Sequence, residues 1–324
     1  MLFGISTIVF LISHILPGDP AAMVAGTGAT YEQIAAIRTE LGLDRPLYEQ
    51  YLAYMKKVFL GFDLGTSLYS HRAVVSDLLD YLPATFELVT VSMIMAVSVG
   101  ILLGVASATK KDTVLDHFIR ILTSSGLAMP AFWLGLLLQL LIGHRLGILP
   151  ITGRIDAEVL IRYPIARITR MYLVDTLVTG NWIALWSATW HIAMPATVLS
   201  FSTLSYISRF VRSGLLEVLG EDHIRALRSY GLCERIIVYR HALRNAIIPT
   251  LTIVGLRYGF LLGGVIVIER VFDWPGLGLY ALSSVIYLDF PSIIGVTLIF
   301  ALLRIIINLL IDLSYLFVDP RVRV

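Results

Sequence analysis

The chain has 324 residues, of which 57% are hydrophobic and only 15% charged, and its mean hydropathy is +0.82. A soluble domain carries about 25% charged residues, so this composition excludes one and indicates an integral membrane protein. The formal net charge of +2 says little about partners, because in a membrane protein the placement of charge matters, and the single Cys233 excludes an internal disulfide and reads as a small helix residue.

In chain order, residues 1–16 are apolar but cut short at Pro17-Gly18, with no basic residue before them. This suggests a native start that lies upstream or was assigned differently. A cleaved signal peptide is the rival reading, although a positive n-region and an A-x-A site are both missing. Residues 18–82 carry eight acids against five bases and read as a structured external segment. Within it, TYEQIAAIRTELGL has helical spacing, with Thr30 as N-cap and Gly42 as stop. PLYEQYLAYMKKVFLGFDLGTSL places Tyr48, Tyr51, Leu52 and Met55 on one face before turns at Gly61 and Gly65. Two short amphipathic helices over the membrane mouth are expected, their aromatic residues packing or anchoring at the interface.

A span needs about 20 mostly apolar residues. The stretches 84–108, 118–143, 191–207, 246–268 and 291–318 qualify, and with 1–16 they predict six helices with both termini in the cytoplasm. The turn Lys110-Lys111-Asp112, the block from Arg209 to Arg244 with its seven arginines, and the tail with Arg321 and Arg323 are expected inside. By parity the segment 144–190 is outside despite five arginines against three acids, which sits uneasily with the rule. His14, His71, His117, His144, His191, His223 and His241 are scattered over loops and span ends, where surface or interface roles are expected rather than a metal site.

Residues 213–245 form a polar, arginine-rich block, far longer than a connection between two spans requires. Glu221 and Asp222 lie four and three residues before Arg225, which supports a helix whose other face carries Ile224, Leu227 and Gly231. Gly231 can end that helix with φ > 0, and Glu234 to Arg244 then reads as a second helix running towards the membrane, with Pro249 in the first turn of the next span. Such a helix-turn-helix offers a compact apolar knob ringed by charge for docking another protein. A solvated surface helix is the plainer alternative.

Two arginines fall deep in predicted spans, Arg257 and Arg304, the latter sharing a helical face with Asn308 and Asp312. An unpartnered arginine there costs at least ~2.5 kcal/mol, so each faces a partner or water. One reading has them satisfied by backbone carbonyls or a carboxylate; the other has them lining a transport path and meeting a substrate carboxylate. Pro130 and Pro195 are expected to interrupt spans, while Gly255, Gly259, Gly263 and Gly264 make a small-residue stripe suited to close helix packing.

The run DHIRALRSYGL followed by RHALRNAIIPTL resembles the EAA loop of ABC importer permeases, in the dipeptide/oligopeptide branch that also includes nickel systems. ILPGDP at 15–20, LGLDRPLYEQY at 41–51, DLGTSL at 63–68, PATFEL at 83–88, ERVFDWPGLG at 269–278 and NLLIDLSYLFVDPR at 308–321 resemble the same branch in order. The likeness is to the first, B-type, permease of such systems. It implies an all-α polytopic fold of six transmembrane helices, the MetI-like transmembrane domain of a type I ABC importer, over residues 1–324 as one domain. It also implies a second homologous permease, two cytoplasmic ATPase subunits and an external substrate-binding protein. Carried over by position, Asp222, Ile224, Arg225, Ala226, Leu227, Arg228 and Gly231 become the ATPase contact of a coupling loop at 209–245. Leu227 stands where the family often has a small residue and Tyr230 where it often has Lys, making the knob bulkier.

The chain itself points to an external energy source. A phosphate-binding loop needs Gly-Lys-Ser/Thr, and Lys56, Lys57, Lys110 and Lys111, the only lysines, do not follow Gly. ATP and Mg²⁺ are therefore expected on partner subunits, with no cofactor on this chain. Metalloprotease, nucleophile-elbow and paired-carboxylate signatures fail as well, which disfavours a membrane enzyme. The alternatives are a permease for nickel or another small chelated solute and, from another class, an ATP-independent channel or secondary transporter, which would need matched internal repeats.

Overall fold

The computed structural model describes residues 2–318 apart from 16–20, 22–24, 26–27, 41 and 62. Most of ILPGDP, the Pro17-Gly18 break and the basic tail with Arg321 and Arg323 fall outside the described residues. Among the described residues there is no strand, only an isolated bridge between Thr66 and Ala73. The fold is all-α among the described residues.

The helices are α1 (Leu2–Ile15), α2 (Tyr31–Glu40), α3 (Leu47–Leu60), α4 (Val74–Thr109), α5 (Val114–Ala128) and α6 (Ala131–Leu138). They continue as α7 (Ala157–Arg162), α8 (Tyr172–Thr179), α9 (Trp182–Leu219), α10 (Asp222–Ser229) and α11 (Glu234–Ile236). The last three are α12 (Leu243–Val271), α13 (Leu277–Ile286) and α14 (Phe290–Val318). Wide helical turns extend α6 over Gln139–Arg145 and join α11 to α12 over Ile237–Ala242.

By length and composition, α4, Thr252–Val271 of α12 and Phe290–Ile311 of α14 can each cross a membrane. The stretch 118–143 is interrupted as expected: it is a pair of helices, Val114–Ala128 and Ala131–Arg145, bent by 109°, and counts as a fourth span if the pair is taken together. Pro130 stands at that break, with no N–H to continue the ladder. Pro195 does not interrupt: α9 runs through it for 38 residues, about 57 Å at 1.5 Å per residue. That length exceeds a hydrocarbon core, and its Ser200, Thr203, Ser205 and Ser208 are buried against neighbouring helices. The first stretch, α1, has 14 residues, short of a span by itself.

The chain divides into two compact units, Met1–Leu82 with Tyr280–Leu303, and Pro83–Leu279 with Arg304–Val324. In the first, Thr30 and Gln33 form a reciprocal capping box on α2, Thr30 N–H donating to Gln33 Oε1 at 2.9 Å and Gln33 N–H to Thr30 Oγ1 at 3.3 Å. Gly42 stops α2 at φ 69°, as its position suggests. The packed face of α3 differs from the expected one. Tyr51 lies edge-on to Phe10 of α1 at 5.3 Å and Met55 is buried, whereas Tyr48 and Leu52 are largely exposed.

The second unit holds a continuous apolar cluster. Ala96, Val105 and Ala108 of α4 meet Leu204, Ile207, Val211, Leu215 and Val218 of α9, and Ile237, Val238, Ala242 and Ala246 complete it. Helices α4 and α9 cross so closely that a Cβ on Gly104 would lie 2.7 Å from Val211, so only glycine fits. Inside hydrocarbon such contact, rather than exclusion of water, is what holds helices together. Of the glycine stripe on α12, Gly255 is pressed against Ile311, while Gly259, Gly263 and Gly264 face open space.

Candidate functional site

The block after α9 is a helix-turn-helix whose geometry arises from a few local choices. Gly220 ends α9, α10 runs from Asp222 to Ser229, and Gly231 takes φ 77°. Leu232 N–H then donates to Leu227 O at 3.3 Å and Gly231 N–H to Arg228 O at 2.9 Å, the paired bonds of a left-handed helix stop. Arg228 ties the turn to α11 through Glu234, Nε to Oε1 at 2.6 Å. Arg225 pairs with Asp222 at 3.0 Å; Glu221 turns to His223 instead. The chain then continues through α11 without a break into α12, so Pro249 lies inside a helix and not at its first turn.

One member of the expected contact set has another job. Ile224 is fully buried, inserted among the cluster residues of α9 and the Ile237–Ala242 turn, with Leu227 and Leu232 partly buried beside it. It anchors α10 to its own chain. The face turned outward carries Asp222, Arg225, Ala226, Arg228 and Ser229, with Tyr230 and Gly231 at its end. Tyr230 is 81% exposed, an aromatic ring of that size held in the open at a helix end.

Behind α10 a second anchor braces the same end of the unit. Arg212 of α9 grips Asp116 of α5 with both nitrogens, at 2.9 and 2.8 Å. Asp116 is fully buried and also accepts from Ser107 Oγ of α4 and from Asp112 N–H at 3.1 Å. A bidentate guanidinium–carboxylate pair is directional as well as strong, so it sets how α4, α5 and α9 sit together. It also brings the Lys110-Lys111-Asp112 turn to the end of α9 that leads into α10.

The opposite end of the unit holds a further buried pair, Glu87 of α4 with Arg154 at 2.5 Å. Leu173 N–H donates to the other Glu87 oxygen at 2.6 Å, and the guanidinium lies 3.8 Å from the Tyr172 ring centroid and 5.3 Å from that of Trp274. Two of the five arginines of 144–190 are thereby accounted for, since Arg154 meets Glu87 and Arg162 meets Glu158 at 2.8 Å. Nearby, the PATFEL and ERVFDWPGLG segments join. Thr85 donates to Glu269 Oε1 at 2.5 Å and accepts from Leu277 N–H at 2.7 Å, and Trp274 Nε1 donates to Ala84 O at 2.9 Å. Gly276 and Gly278 are needed there because a side chain on either would collide with Glu269.

Arg257 lies over the Tyr206 ring of α9, its Cζ 3.2 Å from the centroid, with Phe260 at 5.3 Å. Its partner is thus an aromatic face and not the carboxylate or carbonyls anticipated. Arg304 is exposed on α14, on one face with the exposed Asn308. The structure does not bring Arg257 and Arg304 together with the α10 residues. His191 departs from its expected surface role: it is buried, its Nδ1 2.8 Å from Ser187 O. Among the described residues no group of three or more His, Cys, Asp or Glu could hold a metal ion.

Sequence comparison agrees with this architecture. Residues 100–324 match the family described as "Binding-protein-dependent transport system inner membrane component", and residues 1–89 match its N-terminal companion, "Binding-prot-dependent transport system membrane comp, N-term". The chain is 42% identical over 320 residues to the probable D,D-dipeptide transport system permease protein DdpB of Escherichia coli strain K12, covering 98% of this chain and 93% of that protein. It is 38% identical over 323 residues to the dipeptide transport system permease protein DppB of Alkalihalophilus pseudofirmus, covering 100% and 96%. A third relative, the glutathione transport system permease protein GsiC of Salmonella typhimurium, is 37% identical over 319 residues, covering 98% and 94%.

Proposed function

We infer the function from one premise: this chain belongs to the family of binding-protein-dependent transport system inner membrane components. It is a non-catalytic, multi-pass permease subunit of an ATP-driven ABC importer. Its substrates, on our reading, are dipeptides and oligopeptides. The relatives support this class, since their names specify D,D-dipeptide, dipeptide and glutathione, all small peptides. In this reading residues 1–324 form one permease domain that pairs with a second, homologous permease. An external substrate-binding protein delivers the peptide, and two cytoplasmic ATPase subunits bind ATP and Mg²⁺.

The observation that carries the proposal is α10, a charged helix turned outward and pinned by a single buried side chain. Asp222, Arg225, Ala226, Arg228 and Gly231 would enter a groove on an ATPase subunit, with Leu227 at the margin. Ile224 would transmit the motion, because it is packed against both α9 and the turn leading into α12. A push on α10 is then a push on two long helices at once. Arg257 and Arg304 would line the path, where a guanidinium can meet the carboxylate of a passing peptide. Residues 18–82 would lie outside and 209–245 inside, with both termini cytoplasmic.

Two measurements test this. In proteoliposomes containing the complete complex, uptake of alanyl-alanine should require both ATP and the binding protein. In a Cys233→Ala background, cysteines at Ser70 and Thr152 should react with an impermeant thiol reagent from outside and one at Ser229 should not. Outside labelling at 229 would overturn both the orientation and the role of α10.

A further inference from the structure

Two residues with side chains, His71 at φ 55° and Leu288 at φ 54°, hold left-handed backbone in the loops that lead into α4 and α14. Outside glycine this conformation is unfavourable and persists only where the surroundings impose it, a situation found at functional surfaces. Here the surroundings are a buried polar lock. Asp289, 1% exposed, accepts from Ser67 Oγ at 2.5 Å, Ser292 Oγ at 2.7 Å, Ser292 N–H at 3.4 Å and Tyr69 N–H at 3.5 Å. Tyr280 extends the lock to Asp77, and Asp77 in turn accepts from Ser70 Oγ at 2.6 Å and meets Arg72 at 3.0 Å.

What the lock presents is a pair of stacked rings. Tyr69 and Tyr287, one from each loop, lie with centroids 4.1 Å apart and planes 13° from parallel. They are 58% and 53% exposed, beside the open side chains of Ile286 and Leu288. His71 and Arg72 supply an exposed polar margin. Rigid aromatic anchors with a polar rim are the make-up of a protein–protein hot spot. A tyrosine that merely anchors in a lipid interface needs neither strained loops nor a buried carboxylate to fix its ring.

We propose that the stacked Tyr69–Tyr287 pair, held by Asp289, is a docking surface for the substrate-binding protein. The proposal rests on the importer reading above. The family description makes transport dependent on a binding protein, and in the orientation proposed above both loops would enter α4 and α14, each long and apolar enough to span, from the external side. Asp289 acts on docking only by positioning the rings.

The test uses the complete complex in nanodiscs, with the binding protein of the same transport system saturated with alanyl-alanine. ATP hydrolysis is followed as that protein is titrated. Tyr69→Ala and Tyr287→Ala should each raise the concentration giving half-maximal stimulation by about 10- to 30-fold, the loss expected at a hot spot. Tyr69→Phe and Tyr287→Phe keep the stack and should stay within about 3-fold of wild type. Benzoylphenylalanine at position 287 should cross-link to the binding protein on illumination. If wild-type complex is not stimulated at any binding-protein concentration, the importer reading fails. If it is stimulated but the alanine variants respond at the wild-type concentration, or the cross-link goes to lipid or to the second permease, the docking proposal fails and the importer reading stands.

Discussion

Replacing Ile224 by Ala isolates the mechanical role of α10, because it alters a side chain that no partner can touch. The residue is 0% exposed within the cluster formed by α9 and the Ile237–Ala242 turn. Large-to-small changes at such sites cost about 2–5 kcal/mol. What else holds α10 in place is weak by comparison. The Arg228–Glu234 pair is 41% and 62% exposed, and such pairs contribute under ~1 kcal/mol. The helix has eight residues, well below the roughly 12–15 at which an isolated helix becomes marginal. Loss of even ~2 kcal/mol multiplies the undocked population by about 30-fold. Hydrogen–deuterium exchange of amides 224–229 should accelerate by that factor or more, while Arg228→Ala should change it less than about 5-fold. In proteoliposomes the Ile224→Ala complex should still hydrolyse ATP but move fewer peptides per ATP, since a loose rod transmits no stroke. Unchanged exchange, or a wild-type ratio of transport to hydrolysis, would refute the anchoring argument.

The parts legible in the sequence were those set by neighbours a few residues apart. Thr30, Gly42, and Gly231 after DHIRALRSY all sit where local backbone chemistry puts caps and stops, and the structure places them so. Apolar periodicity found α10 and put Ile224 on its apolar face; the resemblance carried Ile224 over as a contact, whereas the side chain is buried against its own chain. Of the four residues expected on one face of α3, only Tyr51 and Met55 pack, while Tyr48 and Leu52 stay largely exposed. Groups paired across long separations left no signal. Glu87 and Arg154 are 67 residues apart, Arg212 and Asp116 are 96, and Thr85 and Glu269 are 184. PATFEL and ERVFDWPGLG carried the resemblance, yet nothing in either segment announces that they form one buried node. Proline was informative only in context: Pro130 marks a sharp break, whereas α9 passes through Pro195, where Ile192, Met194 and Ala196 are buried. His71 and Leu288 are strained non-glycine positions, which composition cannot reveal.

Gly231→Val should uncouple transport from ATP hydrolysis without blocking membrane insertion. An added Cβ meets nothing within 4 Å, so the cost is the left-handed backbone alone, about 1–2 kcal/mol, and coupling should fall in the order Gly, Asn, Ala, Val; full coupling in the Val variant would sink the assignment. Either Glu87→Gln or Arg154→Gln leaves one buried charge without its partner and should destabilise the complex by about 3–5 kcal/mol, read as thermal unfolding in detergent. The double variant Glu87→Gln/Arg154→Met should lose much less than the sum, and additive losses would show that the two do not act as a pair. Arg257 distinguishes path from scaffold. Its guanidinium lies 3.2 Å from the Tyr206 centroid, an arrangement that leaves edge N–H groups to meet a passing carboxylate. Arg257→Gln should therefore leave a complex that assembles and hydrolyses ATP, but whose uptake of a free dipeptide falls about 10-fold while its amidated analogue is little affected, the difference of one charge-assisted contact of roughly 1.5 kcal/mol or more. Lys keeps the charge but lacks the planar fork, so Arg257→Lys should fall between. Equal losses for acid and amide, or failure to assemble, would make Arg257 a packing residue whose contact is Tyr206 and not the peptide.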